Sequence, residues 1–352
     1  MIPTMQNQSA WHRQPHNKTH HLRLVSPGDV TYALASLFLS SMQLVPAAQR
    51  IRMIDKASRL LARLLYAANV FSTQTIRQNL NAVLGPSSPP EMLERAVQRL
   101  LSMTIWNSLI INSLPMLSKE QIVSLASMDG ISCLDDYLAS DRPVLIWSYH
   151  FGVHPVIVAA ILYARGYPIH AIAHARQMPV AASVFQRFYL RRLGRISNQF
   201  PVIDPREGPQ HTMLDVLRNK ECLYITPDYM ITVDETKPKS AFEVSIDFLE
   251  RETCLQTGGL RLAKRFKAQV VTVLSAPVNG NERRLIVEPF EFPTPGLTPS
   301  ELQQDLQMCM NRFEAHVLTH PHLWLDSKRD DLLKRLNSTS HNEPVGMGNS
   351  KG

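Results

Sequence analysis

The chain has 352 residues, 44% of them hydrophobic, which is enough apolar material for one large core or two smaller ones. Its formal net charge of +7 at pH 7 favours an acidic partner, such as an anionic membrane surface, a phosphorylated lipid or an acidic protein. Nucleic acid fits the charge too, but no nucleic-acid-binding module is recognisable. The four cysteines are scattered without metal-ligand spacing, so no metal site is predicted.

The N-terminal part of the sequence divides into a polar leader and a helical region. Residues 1–28 lack the basic-then-apolar order of a signal peptide, and we predict a disordered leader there. Residues 29–140 are predicted to be mainly helical. Within them, residues 32–45 are mostly apolar but contain several serines and a glutamine. This segment is too short and too polar to span a bilayer, although it could lie in the interface.

A basic amphipathic helix is predicted after residue 50. Arg52, Lys56, Arg59 and Arg63 fall on one face. The apolar residues of the other face are Ile54, Ala57, Leu61, Leu64 and Leu65. Such a helix suits anionic headgroups. It equally suits a helix that packs its apolar face on the core and leaves the basic face in solvent. Further helices are predicted over residues 90–107, 116–125 and 133–138.

From residue 143 onward, apolar runs alternate with helical patterns, which is typical of a single α/β domain. Strands are predicted over residues 143–149, 168–174, 223–228, 242–248 and 268–274, and a helix over 260–266. We place the α/β domain at residues 141–336. The remaining residues, 337–352, are rich in Asn, Ser and Gly, and we predict a disordered tail.

His150 lies between the apolar run at 143–149 and a predicted helix. Pro155 suits the first position of that helix, where its missing N–H would be unpaired anyway. Ligands of open α/β sheets bind at the C-terminal ends of strands. Because an imidazole with an unperturbed pKa of about 6.5 can take a proton from a hydroxyl at neutral pH, we predict that His150 is a general base. The alternative is a purely structural histidine.

The sequence His150-Phe151-Gly152 after an apolar strand resembles the first motif of the lauroyl/myristoyl acyltransferases of lipid A biosynthesis. These enzymes are a branch of the glycerolipid and lysophospholipid acyltransferase superfamily. The resemblance continues at Arg176, where relatives carry an arginine that faces the acceptor, and at Asp228, where the family places an aspartate at a sheet end. It extends through a Thr-Gly, helix, apolar strand order at 257–274 and a Pro-x-x-Trp-x-x-x-x-Arg segment at 321–329.

The first motif departs from the family pattern at Pro155. In the family the motif is His, four residues, then Asp or Glu, and the acid orients the histidine that deprotonates the acceptor hydroxyl. Proline can neither accept the imidazole N–H nor stabilise an imidazolium, and His154 does not replace the acid. A carboxylate from elsewhere in the fold, with Asp228 as the first candidate, or a backbone carbonyl can take this role. Otherwise the protein is a weak or inactive relative.

The resemblance implies an acyltransferase that moves a fatty acyl group from an acyl carrier protein or coenzyme A thioester to a hydroxyl or amine of a lipid-like acceptor. It implies a mixed sheet flanked by helices, a membrane-proximal N-terminal region, and peripheral attachment to the cytoplasmic side of the inner membrane. No cofactor and no nucleic-acid partner are expected. The implied roles are catalysis by His150 and Asp228, substrate binding by Arg176, Phe151 and Gly152, and binding to anionic membrane by Arg52, Lys56, Arg59 and Arg63. The alternative is a non-catalytic lipid- or carrier-binding homologue that lost the catalytic acid.

Overall fold

A computed structural model describes residues 40–42, 44–67, 73–85, 89–173, 200–204, 210–230, 242–276 and 283–325. The predicted leader at 1–28 and the predicted tail at 337–352 lie outside these residues. So does most of the apolar segment at 32–45.

The N-terminal region is helical, as predicted. It contains α1 (Ala47–Ala67), α2 (Thr73–Leu84), α3 (Pro90–Ser113), the 3-10 turn η1 (Leu114–Met116), α4 (Lys119–Val123) and α5 (Ser132–Ala139). Helix α3 begins with Pro90 in its first turn, as the sequence predicts, but it runs six residues past the predicted end at 107. The region also contributes a short strand, β1 (Ser127–Asp129), which the sequence did not predict.

A seven-stranded mixed sheet forms the centre of the fold and confirms the predicted α/β class. Besides β1 it contains β2 (Val144–Ser148), β3 (Ile169–Ile172), β4 (Val202–Ile203), β5 (Cys222–Ile225), β8 (Gln269–Ala276) and β9 (Arg284–Phe290). The strand order is β1-β9-β8-β2-β5-β3-β4. Only the β8–β9 pair is antiparallel. A separate antiparallel hairpin joins β6 (Glu243–Phe248) to β7 (Arg251–Gln256).

Helices cover both faces of this sheet. The helices of the α/β part are α6 (Pro155–Ala164), α7 (Gln210–Arg218), α8 (Gly258–Arg265) and α9 (Pro299–Thr319), with 3-10 turns η2 (Pro227–Met230) and η3 (Pro321–Leu323). All five residues of β2 are buried. Val144 and Ile146 pack into the same core cluster as Ile157 of α6, whereas Leu145 and Trp147 pack into the cluster that holds Phe313 of α9. Because side chains alternate along a strand, a sheet covered on both faces requires this uninterrupted apolar run.

One hydrophobic core extends across the predicted boundary at residue 140. Trp106 and Ile110 of α3 belong to the same buried cluster as Val144 of β2 and Ile157 of α6. The helical region therefore packs directly on the sheet. The division at residue 140 stays a prediction.

Helix α1 buries only part of the predicted apolar face: Ile54 is buried and Ala57 and Leu65 are half-buried. Its buried residues are Ile54, Ser58 and Ala62, which fall four residues apart. Ala62 packs in a small cluster with buried apolar residues of α3. Leu61 and Leu64, which were predicted to share the apolar face, are 38% and 56% exposed. The small side chains of Ser58 and Ala62 permit close contact with α3, so part of the leucine face is left at the surface. No helix in the described part of the chain is both long and apolar enough to cross a membrane.

Candidate active site

Three neighbouring parallel strands end at one edge of the sheet and bring the candidate site together. In the order β8-β2-β5, Ser275 lies near the end of β8, His150 follows β2, and Asp228 lies in η2 just after β5. Parallel strands present their C-terminal ends at the same edge, so Asp228 contacts His150, and Ser275 contacts the turn that follows it.

His150 and Asp228 are joined by two hydrogen bonds. The backbone N–H of His150 donates to Asp228 Oδ2 at 2.6 Å, and His150 Nδ1 lies 3.1 Å from Asp228 Oδ1. The Asp228 side chain is fully buried, whereas the His150 side chain is 14% exposed. An ionised carboxylate can only accept, so its contact with Nδ1 requires the proton on that nitrogen. In the neutral ring, Nε2 then carries the lone pair.

Residues 321–325, which we call the closing segment, hold the loop that carries His150 through main-chain contacts. The N–H of Gly152 donates to the Leu323 carbonyl at 2.6 Å, and the N–H of Leu325 donates to the His150 carbonyl at 2.8 Å. Between them, Phe151 and Trp324 form an isolated antiparallel bridge. The resemblance linked the regions around His150 and Trp324 only by their order along the chain. Their pairing shows that the closing segment holds the loop that carries His150 in place.

Two further polar residues hold the turn after His150, and sequence reasoning missed both. Asn107 of α3 is buried, and its Nδ2 donates to the Gly152 carbonyl at 2.8 Å while its Oδ1 accepts from the His154 N–H at 3.0 Å. Ser275 Oγ accepts from the Val153 N–H at 2.8 Å. Asn107 lies in an apolar helical pattern, and nothing in the neighbouring sequence marks it as a site residue. Ser275 directly follows the predicted strand at 268–274, and that position could have indicated a site residue.

Replacing Asn107 by alanine should destabilise the protein measurably. The substitution leaves a carbonyl and an N–H of the 152–154 turn without their partner in a buried place, which typically costs about 1–3 kcal/mol. Urea unfolding of Asn107→Ala should show this loss in the free energy of unfolding. Ser108→Ala is the matched control, because Ser108 is exposed and bonds only within its own helix. Equal stabilities for the two variants would contradict a stabilising role for the hydrogen bonds from Asn107 to the 152–154 turn.

Gly152 packs directly against Ser275. Its φ of +66° lies in the left-handed region, and a Cβ there would approach Ser275 Oγ to 2.5 Å, so only glycine fits. The Phe151 side chain is 1% exposed and lies edge-on to Phe313, with ring centroids 5.9 Å apart. These contacts make Phe151 and Gly152 part of the support for His150. Their predicted contact with substrate stays a prediction.

Pro155 and His154 begin helix α6. The His154 ring accepts the Val156 N–H through Nδ1 at 3.2 Å, which caps the helix, and Pro155 occupies its first turn. The His154 ring also lies edge-on to the His150 ring, with centroids 5.5 Å apart. At this position the chain therefore starts a helix, and the carboxylate that contacts His150 comes from the neighbouring strand β5.

Three histidines surround the closing segment in environments that disfavour their charged form. Burial lowers the pKa of His316, and burial together with His316 lowers the pKa of His320. Burial, Arg99 and His320 lower the pKa of His322 to about 4. These rings are therefore neutral at pH 7, and the loop that they border gains no positive charge from them.

The remaining predicted site residues lie away from this edge or outside the described part of the chain. Arg176 and Arg329 both fall outside the described residues. The four predicted membrane-binding residues, Arg52, Lys56, Arg59 and Arg63, are all exposed on α1. Among the described residues, no group of three or more His, Cys, Asp or Glu side chains is arranged to hold a metal ion.

Comparison with known families identifies the family of the chain. A family model of bacterial lipid A biosynthesis acyltransferases matches residues 18–326. The chain belongs to that family. The match covers every element of the site, from α3 to the closing segment at Trp324. Family membership makes the protein an acyltransferase of the lipid A type, with an acyl donor and a lipid acceptor. No curated protein matches the chain.

Proposed function

We propose that this acyltransferase moves a fatty acyl group from an acyl carrier protein or coenzyme A thioester to a hydroxyl or amine of a lipid-like acceptor, with His150 as general base. The observation that carries the proposal is the contact between His150 and the buried carboxylate of Asp228. A general base needs a lone pair at the substrate and a partner that stabilises the charge it gains. Asp228 supplies the partner.

The reaction proceeds directly, without an acyl-enzyme. His150 Nε2 takes the acceptor proton while Nδ1–H donates to Asp228, and the acceptor oxygen or nitrogen attacks the thioester carbonyl carbon. The tetrahedral oxyanion then collapses, the C–S bond breaks, and the imidazolium returns its proton to the thiolate. Arg176 is proposed to balance the charge of the oxyanion or of an acceptor phosphate. The step is balanced, since each proton that leaves the acceptor ends on the released thiol.

Asp228 bears on the choice between catalysis and a non-catalytic binding role. The non-catalytic alternative rests on Pro155, which replaces the acid of the family motif. An acid lost without replacement would leave the His150 ring with no carboxylate partner. The Asp228 contact instead favours a relocated acid, and therefore an active enzyme.

Product analysis tests the proposal. The purified full chain is supplied with acyl carrier protein thioesters or acyl-coenzyme A and a crude lipid extract, and new lipids are identified by mass spectrometry. The expected product is an acceptor heavier by one fatty acyl group, formed with release of free thiol. His150→Ala serves as the control for enzyme-dependent transfer. If neither donor yields an acylated product, the protein is instead a non-catalytic lipid- or carrier-binding homologue.

Peripheral attachment to the cytoplasmic side of the inner membrane is proposed to use the outer face of α1. The exposed basic residues Arg52 and Lys56 lie on the same helix as Leu60, Leu61 and Leu64, which are 59%, 38% and 56% exposed. Exposed leucines beside basic side chains are typical of a helix that lies in a membrane interface. This surface supports the interfacial interpretation over a simple solvated face.

Charge reversal on α1 should release the protein from anionic vesicles. Each Lys or Arg near such a surface contributes about 1 kcal/mol, so changing Arg52, Lys56, Arg59 and Arg63 to Glu should abolish co-sedimentation. The matched control carries the same charge change at exposed residues elsewhere: Lys119, Arg165, Arg265 and Lys267 to Glu. Equal binding by the two variants would show that α1 is not the attachment surface.

A further inference from the structure

An arginine-lined cleft lies between α1 and α3, away from His150. It has a volume of about 200 Å³. Its lining residues are Arg59, Ala62, Arg63, Arg95, Gln98, Arg99 and Ser102. On each helix these positions recur three or four residues apart, so each helix turns one face into the cleft. Four arginines therefore border a space large enough for a small anion.

The positive charge of the cleft is only partly compensated by the protein, and Arg59 donates to the Asp55 carbonyl at 3.2 Å. The lining contains four arginines and no acidic residue. Glu91 lies 3.6 Å from Arg95, but both side chains are at least 75% exposed, so this pair is weak. Among the described residues, Arg63 and Arg99 have no carboxylate within salt-bridge distance. Four like charges repel one another, and a bound anion would relieve that repulsion.

The donor set fits a phosphate group. Arginine presents its N–H groups as a planar fork that matches two phosphate oxygens at once. Gln98 and Ser102 add neutral donors in the same lining. A phosphate monoester has three terminal oxygens and a charge of about −1.5 to −2, whereas a diester has two such oxygens and a single charge. Four arginines around one cleft therefore favour the group with more charge and more terminal oxygens, which is the monoester.

The cleft adjoins the segment that holds His150. Arg99 is close enough to His322 to depress the pKa of that histidine. Leu325 packs in the same small cluster as Ala62 of the cleft, and the Leu325 N–H donates to the His150 carbonyl. Leu60, Leu61 and Leu64 are exposed on the same helix as Arg59 and Arg63. A phosphate held here would lie beside exposed leucines, and Leu325 links the cleft to the His150 loop.

We propose that the cleft formed by Arg59, Arg63, Arg95 and Arg99 is a binding site for a phosphate monoester group, carried either by a membrane lipid or by a soluble molecule. The inference rests on the charge and shape of the cleft and does not depend on acyl transfer by His150. Binding measurements therefore test it separately from the proposed function.

The test compares two double variants of the full chain. Arg95→Gln with Arg99→Gln removes the two cleft arginines of α3, and Arg52→Gln with Lys56→Gln removes two exposed charges of α1 outside the cleft. Sedimentation measures binding to phosphatidylcholine vesicles that contain phosphatidic acid, a monoester, or phosphatidylglycerol, a diester, matched in surface potential. Calorimetric titration with glycerol 3-phosphate measures binding of a soluble phosphate monoester. Thermal melting checks that each variant folds.

The wild type should bind the monoester at least roughly tenfold more tightly than the diester, since a hydrogen bond to a charged group contributes about a factor of ten or more. The cleft variant should lose that preference, while the α1 variant should keep it and bind both vesicles more weakly. A preference confined to vesicles identifies a lipid phosphate, and binding confined to glycerol 3-phosphate identifies a soluble one. A wild type that binds both vesicles equally and does not bind glycerol 3-phosphate, or a cleft variant that binds like the wild type, would overturn the proposal.

Discussion

His150→Ala is expected to lower the rate of acyl transfer by about 10²- to 10⁴-fold, the usual effect of removing a general base. The fold should survive, because the main chain holds the loop. The Gly152 N–H and the His150 carbonyl keep their partners at Leu323 and Leu325, and the backbone N–H of residue 150 still donates to Asp228. The loss should therefore appear in the chemical step, with substrate binding little changed.

Single-turnover release of thiol from a saturating acyl donor measures this step. His154→Ala is the matched control, because its ring lies 5.5 Å from the His150 ring but caps a helix. Its main effect should be on stability, about 1 kcal/mol for a lost cap, with a smaller loss of rate. Wild-type turnover by His150→Ala would remove the assignment of His150 as base.

Sequence patterns were informative where local physics decides the structure. The apolar run before His150 predicted a buried strand and Pro155 predicted the start of a helix, and β2 and α6 lie where these were predicted. The meeting of His150 and Asp228 followed from one further rule, that neighbouring parallel strands end at the same edge. The predicted contact is present at 3.1 Å.

Local sequence patterns could not predict contacts between residues far apart along the chain. Nothing near Asn107 indicates that its amide binds a turn 45 residues away, and nothing near Trp324 indicates a bridge to Phe151. The predicted apolar face of α1 was only partly right, since Ile54 is buried but Leu61 and Leu64 are exposed. Periodicity selects the most apolar face, but packing on α3 selected the face with Ser58 and Ala62, because small side chains let helices approach.

Asp228→Asn should reduce acyl transfer about as much as the loss of His150, by roughly 10²–10⁴-fold. The asparagine keeps the shape of the side chain and can still accept the backbone N–H of His150. Its amide NH₂ would then face His150 Nδ1 and donate to it, which places the ring proton on Nε2. A ring in that tautomer has no lone pair for the acceptor, and the imidazolium loses the negative charge that stabilises it.

Two controls separate this effect from unfolding and from a crippled parent enzyme. Asp215→Asn makes the same chemical change at an exposed residue of α7 and should leave the rate unchanged. Pro155→Glu restores an acid at the position of the family motif. Because Asp228 already accepts the Nδ1–H, the neutral ring has no second N–H for the new glutamate to accept, and burial of a carboxylate at the start of α6 should lower activity. Full activity in a folded Asp228→Asn would mean that Asp228 does not serve as the carboxylate partner of His150. A rate gain in Pro155→Glu would mean that the parent is a weakened member of its family.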